Sequence, residues 1–587
     1  MSAHDDHVPW PEPASDAALP VVAPTFSLPQ SVHPIEDASL LLENHDDSPA
    51  MTLAEERSFY LIDWANSVYS TVGISGFLPL LIQSSAQTAA GFPGQCPNVL
   101  MNNSTTNSTV ISWPFPLRPT VFFRIDGAGP RPCDSLDAPS CWEGFCSGLP
   151  ATVLDCRDIL GKEIHTLRTP GASSSSWDPT SFATFCITAS VVAQAFVFIF
   201  GGALADYGSA RKTLLVSASF VGALSCVAAL LISPSTYLMG LPVAIISNAC
   251  FGITGVMMNA YLPLLSAAHP SVRKLTLTSP QRRSAIEARV TEMSAYGFSF
   301  GYIAGVIGII LCVPLILALP EIVAYQATLV VAGVWWAIFM IPVAKIIHTR
   351  PGPPLPITAG GGICSSYIYA SLNGIMNTAT LLYKLPTTGA FLLLWGLFSD
   401  AVFVVGTLGG LYANSRIDWG CTPKSQGVLA IFALTPLAAA LGNFTWLRLS
   451  QYFNVKPEHA LAFTLVAIGS IIPAIGLSGS LTSGPVLVGI AIWWGFNMGA
   501  MQAFSRAVFS SLVPQGYESA CFSLFEITNR GSSWLGPLIL TLSAEMTGDF
   551  KWGFAYVLVG TFIGAIGILR LDMKGGREAA ANHSTLL

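Results

Sequence analysis

Twelve apolar runs, each long enough to cross a bilayer, constrain what this chain can fold into more than any other feature of its sequence. A spanning α-helix needs about 20 predominantly apolar residues. Runs of that length form two sets of six, near residues 59–84, 179–204, 213–233, 240–265, 293–318 and 324–347, and near residues 386–413, 425–447, 459–478, 485–509, 521–544 and 553–570. The pattern predicts an all-α membrane protein with about twelve transmembrane helices in two six-helix halves.

The content of charged residues, 10%, supports this class. A soluble domain carries about 25%, so the surface of this chain cannot mostly face water, and the lipid bilayer is an expected partner. No dense basic patch is present, so no nucleic-acid partner is expected. All nine histidines lie outside the predicted spans, and no P-loop, nucleophile-elbow or zinc-protease pattern occurs. We therefore expect no metal site, no cofactor and no enzymatic activity.

The runs divide the chain into two halves, residues 56–347 and 386–572, joined by a polar cytosolic linker at 348–385. Residues 1–55 lack the basic and apolar regions of a signal peptide and are rich in Asp, Glu, Pro and Ser, which predicts a disordered cytosolic tail. Residues 573–587 are predicted to form a second cytosolic tail. A duplicated six-helix half is the arrangement of the major-facilitator fold.

Lys and Arg residues concentrate on one side of the predicted helices. With the N-terminus in the cytosol, the cytosolic side holds most of them, among them Arg57, Arg282, Arg283, Arg506 and Arg577. Only three fall in short loops on the other side, namely Arg416, Lys424 and Lys551. Because short cytosolic loops carry the excess of Lys and Arg, both termini are predicted to be cytosolic.

The long loop at 85–178 is predicted to face the lumen and to carry glycans. Three asparagines each open an Asn-x-Ser/Thr sequon: Asn102, Asn103 and Asn107. Five cysteines of this loop and one in the loop after the seventh run are disulfide candidates: Cys96, Cys133, Cys141, Cys146, Cys156 and Cys421. Six cysteines allow fifteen pairings, and free thiols in a disordered loop are the alternative.

Charged residues inside the predicted spans are functional candidates, because each costs roughly 2.5–3.5 kcal/mol on insertion scales. Asp63 lies about one turn inside the first run, and Asp400 lies near the middle of the seventh. No partner of Asp400 is evident in the sequence, so a substrate or coupling role and a structural role are both open. Glu526 and Arg530 are four residues apart on one helical face, which favours a structural ion pair over direct substrate binding.

Three asparagines in the spans are further candidates for contact with a substrate. Asn66 shares a face with Asp63, Asn259 lies in the fourth run and Asn497 lies in the tenth. Such polar stripes either line a water-filled cavity or join helices to one another. Small residues at every fourth position of the fifth run predict close helix packing instead: Gly297, Gly301 and Gly305.

The loop between the second and third runs resembles a signature of major-facilitator transporters. It reads Gly202-Ala-Leu-Ala-Asp206-Tyr-Gly208-Ser-Ala-Arg211-Lys212, with Asp206 and Arg211 at the signature's spacing and Gly208 one residue early. The resemblance implies a gating loop that contains these two glycines and both charged residues. A carboxylate at a helix end that faces basic residues can close the cytosolic side and be released as the two halves move.

Longer stretches resemble the fungal autophagy-related vacuolar amino-acid effluxers of the major facilitator superfamily. They are residues 233–271, Ser505-Arg506, Glu518 and the segment from Glu526 to Pro537, within a resemblance from about residue 55 to 575. The resemblance implies a secondary transporter of the vacuole membrane. Such a protein exports leucine-like and other neutral amino acids to the cytosol after autophagic protein breakdown, by alternating access, with protons as candidate coupling ions. The first run and the Cys-rich loop depart from the fungal pattern and leave the exact cargo open.

In similar proteins the first, fourth, seventh and tenth helices line the substrate cavity, and the candidates Asn66, Asn259, Asp400 and Asn497 fall there. A zwitterionic cargo needs an acceptor for its ammonium group, for which Asp400 is the candidate, and donors for its carboxylate, for which the amides are candidates. The alternative functions are a non-transporting nutrient receptor or scaffold on the same fold, or a facilitator for another small solute.

The N-terminal tail contains a match to an acidic dileucine sorting signal. The matching residues are Glu36, Leu40 and Leu41. The match implies a sorting adaptor as a partner and delivery to the vacuole. A short apolar patch in a disordered tail is the alternative.

Overall fold

The computed structural model describes residues 49–89, 123–126, 129–132, 167–168, 176–177, 179–275, 280–353, 380–415, 417, 424–532, 535–547 and 551–585. Within these described residues, the β-strands form two short antiparallel pairs. Strand β1 (Phe123–Asp126) pairs with β2 (Gly129–Pro132), and β3 (Leu167–Arg168) pairs with β4 (Ser176–Trp177). The other regular elements are helices, and the all-α membrane class predicted from the sequence is confirmed.

Six long helices lie in the part of the N-terminal half that the structure describes. They are α1 (Leu53–Ala89), α2 (Pro179–Ala205), α3 (Ala210–Leu231), α4 (Gly240–Ala267), α5 (Pro280–Ala318) and α6 (Glu321–Ile346). The middle of α1, Tyr69–Phe77, is π-helical, and the last turn of α3 is a 3₁₀-helix. Each helix covers one of the first six apolar runs.

Eight helices lie in the described part of the C-terminal half and the segment that follows it. They are α7 (Pro386–Ser415), α8 (Lys424–Tyr452), α9 (Pro457–Leu477), α10 (Gly484–Ser510), α11 (Glu518–Ser532), α12 (Leu535–Thr547), α13 (Trp552–Arg570) and α14 (Met573–Thr585). The last of these falls in the segment that the sequence analysis assigns to a cytosolic tail. The predicted eleventh span, 521–544, is covered by two helices, α11 and α12.

Eleven helices in the described ranges are long and apolar enough to cross a membrane. The twelfth expected crossing is the pair α11 and α12, whose members have 15 and 13 residues. Gly531 lies at the end of α11, and Gly536 and Pro537 lie at the start of α12. Residues 533–534, between these two helices, lie outside the described residues.

Two helix starts differ from the expectation. The first helix begins at Leu53, where the Thr52 hydroxyl accepts a hydrogen bond from the Glu55 backbone N–H (3.1 Å). The fifth begins at Pro280 rather than near 293, so it extends beyond its apolar run. In both cases polar residues continue the helix past the apolar segment, because helix formation needs backbone hydrogen bonds and not an apolar sequence.

Residues just before α1 are held against the N-terminal half. The Met51 N–H donates to the Ala268 carbonyl (2.9 Å), and the buried Glu55 carboxylate lies 3.0 Å from Arg350, which follows α6. Arg350 also donates to the carbonyl of Pro49 (3.3 Å). We call these contacts of residues 49–55 the N-terminal anchor. They attach the start of α1 to the ends of α4 and α6.

The three glycines of α5 place that helix against α1. A Cβ at Gly297, Gly301 or Gly305 would lie 2.3–2.6 Å from side-chain oxygens of α1, which are those of Asp63, Ser67 and Thr71. Any larger residue would push the two helices apart. The small-residue stripe therefore serves packing, and it brings α5 close to the charged face of α1.

Candidate functional site

Charged residues close one end of the molecule by joining the two halves. We call this end, where α1 begins and α13 ends, the inner side; it is the side predicted to face the cytosol. The Asp206 carboxylate, just after α2, accepts hydrogen bonds from the backbone N–H groups of Ser519 (2.8 Å) and Ala520 (2.9 Å) at the start of α11. Arg211 lies 2.8 Å from Asp206 and 3.2 Å from Glu518.

We call Asp206, Arg211, Glu518 and Ser519 the inner latch. All four side chains are buried, and Arg211 also donates to the Ser519 hydroxyl (3.0 Å). The first N–H groups of a helix have no partner within the helix and carry a partial positive charge, so a carboxylate binds there favourably. The latch thus joins a carboxylate of the N-terminal half to a helix start of the C-terminal half. Burial raises the pKa of Asp206 to about 6, although Arg211 opposes the shift.

Two glycines of the predicted gating loop make this approach possible. A Cβ at Gly202 would lie 1.8 Å from the Ser523 hydroxyl oxygen, so α2 and α11 touch at this position. Gly208 has φ of +53°, a left-handed conformation that residues with a Cβ adopt at a cost. The structure therefore brings together Gly202, Asp206, Gly208 and Arg211.

Arg506 of α10 forms the centre of a second contact between the halves. Its guanidinium donates to the hydroxyl and the carbonyl of Ser294 in α5 (both 2.9 Å) and to Asn259 Oδ1 in α4 (3.2 Å). It lies 3.7 Å from the Asp63 carboxylate and 4.1 Å from the centre of the Phe298 ring. Its side chain is 1% exposed.

Arg506 lies four residues from the inner end of α10, but its surroundings are not those of an exposed cytosolic charge. The sequence analysis counts it among the charges of the cytosolic side, whereas the structure buries it inside α10. Arginine near a helix end is common at a membrane boundary, and its partner Asp63 lies in the other half of the chain. The one signal in the sequence was the Ser505-Arg506 pair in the family resemblance.

Asn259 extends this contact to α11. Its side-chain N–H donates to Glu526 Oε1 (3.2 Å), and Glu526 Oε2 lies 3.8 Å from Arg530 Nε. Arg530 in turn lies over the ring of Phe251, 5.7 Å from its centre. We call Asp63, Arg506, Asn259, Glu526 and Arg530 the central network.

The central network carries two carboxylates and two guanidiniums on three helices, α1, α10 and α11, and Asn259 adds α4. Glu526 and Asn259 each lie eight residues from the inner end of their helices, or about 12 Å at 1.5 Å per residue. The network therefore lies deeper than the inner latch, within an apolar layer about 30 Å thick. A balanced set of charges is the arrangement that burial tolerates best.

Other predicted candidates lie in different surroundings. The buried Asp400 carboxylate accepts a hydrogen bond from the Tyr556 hydroxyl (2.6 Å). Asn497 accepts from the Trp446 indole (3.2 Å) and donates to the Trp493 carbonyl (2.9 Å). These contacts join helices within the C-terminal half. The pattern of polar faces could not show which neighbouring helix each face meets.

Asn66 is buried in α1, and its side-chain oxygen accepts no hydrogen bond within the described part of the chain. It is one turn from Asp63, as expected. The remaining candidates lie outside the described residues: Glu36, Leu40, Leu41, Asn102, Asn103, Asn107, Cys96, Cys133, Cys141, Cys146, Cys156 and Cys421.

A third contact on the inner side involves α14. Arg577 lies 2.9 Å from Glu458 at the start of α9 and 3.3 Å from Glu287 near the start of α5, and it donates to the Ser511 hydroxyl (3.1 Å). We call Arg577, Glu458 and Glu287 the C-terminal clamp. It joins the halves at α5 and α9, whereas the latch joins them at α2 and α11.

The family model for vacuole effluxer Atg22-like proteins matches residues 52–581. The chain belongs to this family. Autophagy-related protein 22-1 of Penicillium rubens is 27% identical to this Atg22-like chain over 595 residues, which are 91% of this chain and 93% of the relative. Autophagy-related protein 22 of Coccidioides immitis is 26% identical and covers 91% of this chain and 89% of its own.

Solved structures similar to this Atg22-like chain include the major facilitator superfamily transporter FucP in the outward conformation. FucP is 14% identical, with a TM-score of 0.49, over 68% of this chain and 91% of its own. A bacterial homologue of the iron transporter ferroportin in an outward-facing state is 14% identical, with a TM-score of 0.45, over 69% of this chain and 91% of its own.

Proposed function

We propose that this protein is a secondary transporter that exports neutral amino acids, leucine-like ones among them, from the vacuole lumen to the cytosol. The observation that carries the proposal is that the two halves are joined by ion pairs at two depths, the inner latch and the central network. The description of the family as vacuole effluxers supports the direction and the membrane. Amino acids released by autophagic protein breakdown are the proposed cargo.

The inner latch and the central network suit a transporter that works by alternating access. Asp206 and Arg211 close the inner side, so cargo in this state would enter from the opposite, lumenal side. The central network would then meet the cargo, since its charged groups are placed where an apolar membrane interior makes them costly without a function. Movement of the halves would break the latch, hydrate its charges and open a path to the cytosol.

The proposal includes a multi-pass protein of the vacuole membrane with both termini in the cytosol and the 85–178 loop in the lumen. Glycans on that loop and an adaptor that recognises Leu40 and Leu41 are part of the proposal, as are protons as coupling ions. The acidic dileucine and the sequons in the sequence support it.

Counterflow in proteoliposomes tests transport directly. Vesicles preloaded with leucine and containing the full chain should accumulate labelled leucine, and protein-free vesicles should not. Gly202→Ala introduces a Cβ 1.8 Å from the Ser523 hydroxyl oxygen and should impair closure of the inner side. Gly255→Ala is the matched control, because a Cβ there meets nothing within 4 Å.

We expect counterflow to fall at least about tenfold in Gly202→Ala, because the inner side no longer closes within van der Waals distance. Counterflow should be unchanged in Gly255→Ala. Saturable leucine binding without counterflow would indicate a receptor in place of a transporter. Counterflow of another solute, with no response to any amino acid, would contradict the proposed cargo.

A further inference from the structure

We propose that an anionic phospholipid binds on the inner side where α8 meets α5, with its phosphate at Arg448 and an acyl chain in the apolar cavity next to that residue. The residues of this site belong neither to the inner latch nor to the central network. The proposal goes beyond the transport function and does not depend on which solute the protein carries.

Arg448 is an arginine of the inner side whose charge is not balanced by an acidic side chain in the described part of the chain. Its Nη2 atom donates to the Tyr296 hydroxyl of α5 (3.2 Å), and no carboxylate pairs with it among those residues. By contrast, Arg211, Arg350 and Arg577 each lie 3.0 Å or less from a carboxylate. A guanidinium has several N–H donors, so Arg448 keeps donors for an anionic ligand.

The position of Arg448 along α8 places its charge near the headgroups of a bilayer. It lies four residues before Tyr452, the last residue of α8, or about 6 Å at 1.5 Å per residue. Tyr452 and the residue after it, Phe453, are 81% and 65% exposed. Aromatic side chains with a polar tip are enriched where a membrane meets water. The inner end of α8 therefore lies at that boundary.

An apolar cavity of about 340 Å³ adjoins the arginine. Six of its seven lining residues are apolar, and they come from α8, the turn after it and α9, among them Trp446, Leu449, Phe453, Val455 and Phe463. Leu449 also lines the open groove along α8 that contains Arg448. The cavity and the guanidinium are thus neighbours, and together they suit a molecule that has both a hydrocarbon chain and a charged group.

The turn between α8 and α9 shapes one wall of this cavity. Asn454 has φ of +51°, and the Val455 N–H donates to the Ser450 carbonyl (2.8 Å). A left-handed residue followed by such a bond ends a helix in a defined geometry. Phe453 and Val455, on either side of Asn454, both line the cavity. The position of this wall is therefore set by the backbone of the turn.

The charge of the site selects the class of lipid. The described residues that line the cavity and the groove include Arg448 and no acidic residue. An arginine fork donates paired hydrogen bonds to a phosphate, and basic sites between spanning helices at the cytosolic face bind anionic headgroups. A headgroup with a quaternary ammonium brings a second cation to the site. A lipid with a net negative charge should therefore bind more tightly than phosphatidylcholine.

The same site spans the two halves of the molecule. Tyr296 belongs to α5 and Arg448 to α8, and the Tyr296 ring lies 5.8 Å from the ring of Phe444 in α8. The Tyr296 oxygen accepts from Arg448, so its own O–H hydrogen can donate to the phosphate that Arg448 binds. A lipid bound to both side chains would hold α5 against α8 on the inner side.

Quenching by brominated lipids tests the site on the purified full chain. The probes are phosphatidylglycerol and phosphatidylcholine with the same brominated acyl chains, which quench a tryptophan that they contact, and Trp446 lines the cavity. We expect phosphatidylglycerol to bind at least about fivefold more tightly, the gain from one basic residue near an anionic headgroup. Trp446→Phe should remove this preferential part of the quenching. Equal binding of the two lipids, or unchanged preferential quenching in Trp446→Phe, would overturn the proposal.

Substitution of the arginine separates this site from a general effect of charge. Arg448→Gln should lower the affinity for phosphatidylglycerol to that for phosphatidylcholine. The matched control is Arg570→Gln, which changes an exposed arginine at the inner end of α13 that lines neither the cavity nor the groove, and it should keep the preference. A preference that persists in Arg448→Gln, or that is lost equally in both variants, would overturn the site.

Two further measurements test the bridge between the halves and the acyl chain. Tyr296→Phe keeps the ring and removes the hydroxyl, and it should lower the affinity for phosphatidylglycerol about two- to fivefold; an unchanged affinity would overturn the bridge. Glycerophosphoglycerol, the headgroup without acyl chains, should compete at least about 100-fold more weakly than the lipid, because nothing then fills the cavity. Competition as strong as that of the lipid would reveal a site for a soluble phosphate and overturn the assignment to a phospholipid.

Discussion

The inner latch and the central network join the same two halves, but their geometries differ. In the latch, the contacts of Asp206 and Arg211 are 2.8–3.2 Å long and include two backbone N–H groups. In the central network, the two ion pairs are 3.7 and 3.8 Å long. Of these two, the Asp63–Arg506 pair joins the halves, and Arg506 also donates hydrogen bonds of 2.9 Å to Ser294 of the other half. The ion pairs between the halves are therefore shorter at the inner end than further inside.

The difference follows from what each group meets when the halves separate. Residues of the latch lie at the ends of helices, where water can replace the lost hydrogen bonds at little net cost. Residues of the central network lie deeper, where separation leaves a charge with few partners. A tight contact at the inner end can thus open and close, whereas deeper contacts need replacement partners, which cargo can supply.

The largest effect is expected from stranding a charge in the central network. Arg506→Leu leaves Asp63 buried without its cation, and breaking a buried pair by removing one partner costs about 3–5 kcal/mol. Abundance and thermal stability should fall sharply and recover in part when Asp63→Asn is added. Arg530→Leu should cost less, because Glu526 is more exposed than Asp63. A larger loss for Arg530→Leu would contradict the comparison.

Opening the latch is expected to have the next largest effect. Arg211→Gln removes the ion pairs to Asp206 and Glu518, and a hydrogen bond to a charged group contributes about 1.5–3 kcal/mol. Cys521, which is 1% exposed beside the latch, reports opening through its reaction with a maleimide. Labelling should be about 10- to 100-fold faster than in wild type. Arg289→Gln is the control, and equal rates in all three proteins would show that the latch does not hold the inner side closed.

A smaller effect should appear in the pH dependence of stability. Because the folded pKa of Asp206, about 6, is above its ordinary value of 3.8, the folded protein takes up a proton that the unfolded chain does not. The unfavourable contribution of this carboxylate is complete above the folded pKa and is relieved as the pH falls from there toward 3.8. From about pH 7.5 to about 5.5, the free energy of unfolding should shift in favour of wild type over Asp206→Asn by roughly 1 kcal/mol.

The measurement is the difference in thermal or denaturant stability between the two proteins at each pH. Titrating groups outside the inner latch are common to both proteins and cancel in that difference. A shift of the opposite sign would mean that Arg211 outweighs burial at this carboxylate.

The smallest effect is expected at the C-terminal clamp. Arg577→Gln removes pairs with the partly exposed Glu287 and the buried Glu458. Arg577 itself is partly exposed, and ion pairs that water reaches contribute about 0.2–1 kcal/mol. Labelling of Cys521 should increase by no more than about fivefold. A larger increase than in Arg211→Gln would make the clamp, and not the latch, the main closure.

Much of this fold follows from single features of the sequence, because the bilayer demands long apolar runs and close helix pairs demand small residues. The glycine stripe of α5 and the loop from Gly202 to Arg211 are examples. In both, the spacing of residues along the sequence is enough to predict which of them lie together.

The central site was predicted only in part. Asp63, Asn259, Glu526 and Arg530 were found because polar residues in apolar runs are conspicuous. The burial of Arg506 and the contact of Asp400 with Tyr556 were not foreseen, because helical periodicity identifies a polar face but not the helix that faces it. Which helices face each other depends on how the two halves pack, and a single sequence does not contain that information.

The N-terminal anchor has a mechanical consequence. Arg350, which directly follows the N-terminal half, contacts Pro49 and Glu55. Ala268, which belongs to that half, accepts a hydrogen bond from Met51. Tension applied to residues 1–48 by a bound protein would be delivered to the ends of α4 and α6. This force would act on the N-terminal half alone and would not separate it from the C-terminal half at the inner latch. Capture of this tail by a trafficking protein would therefore leave the transport cycle free to run.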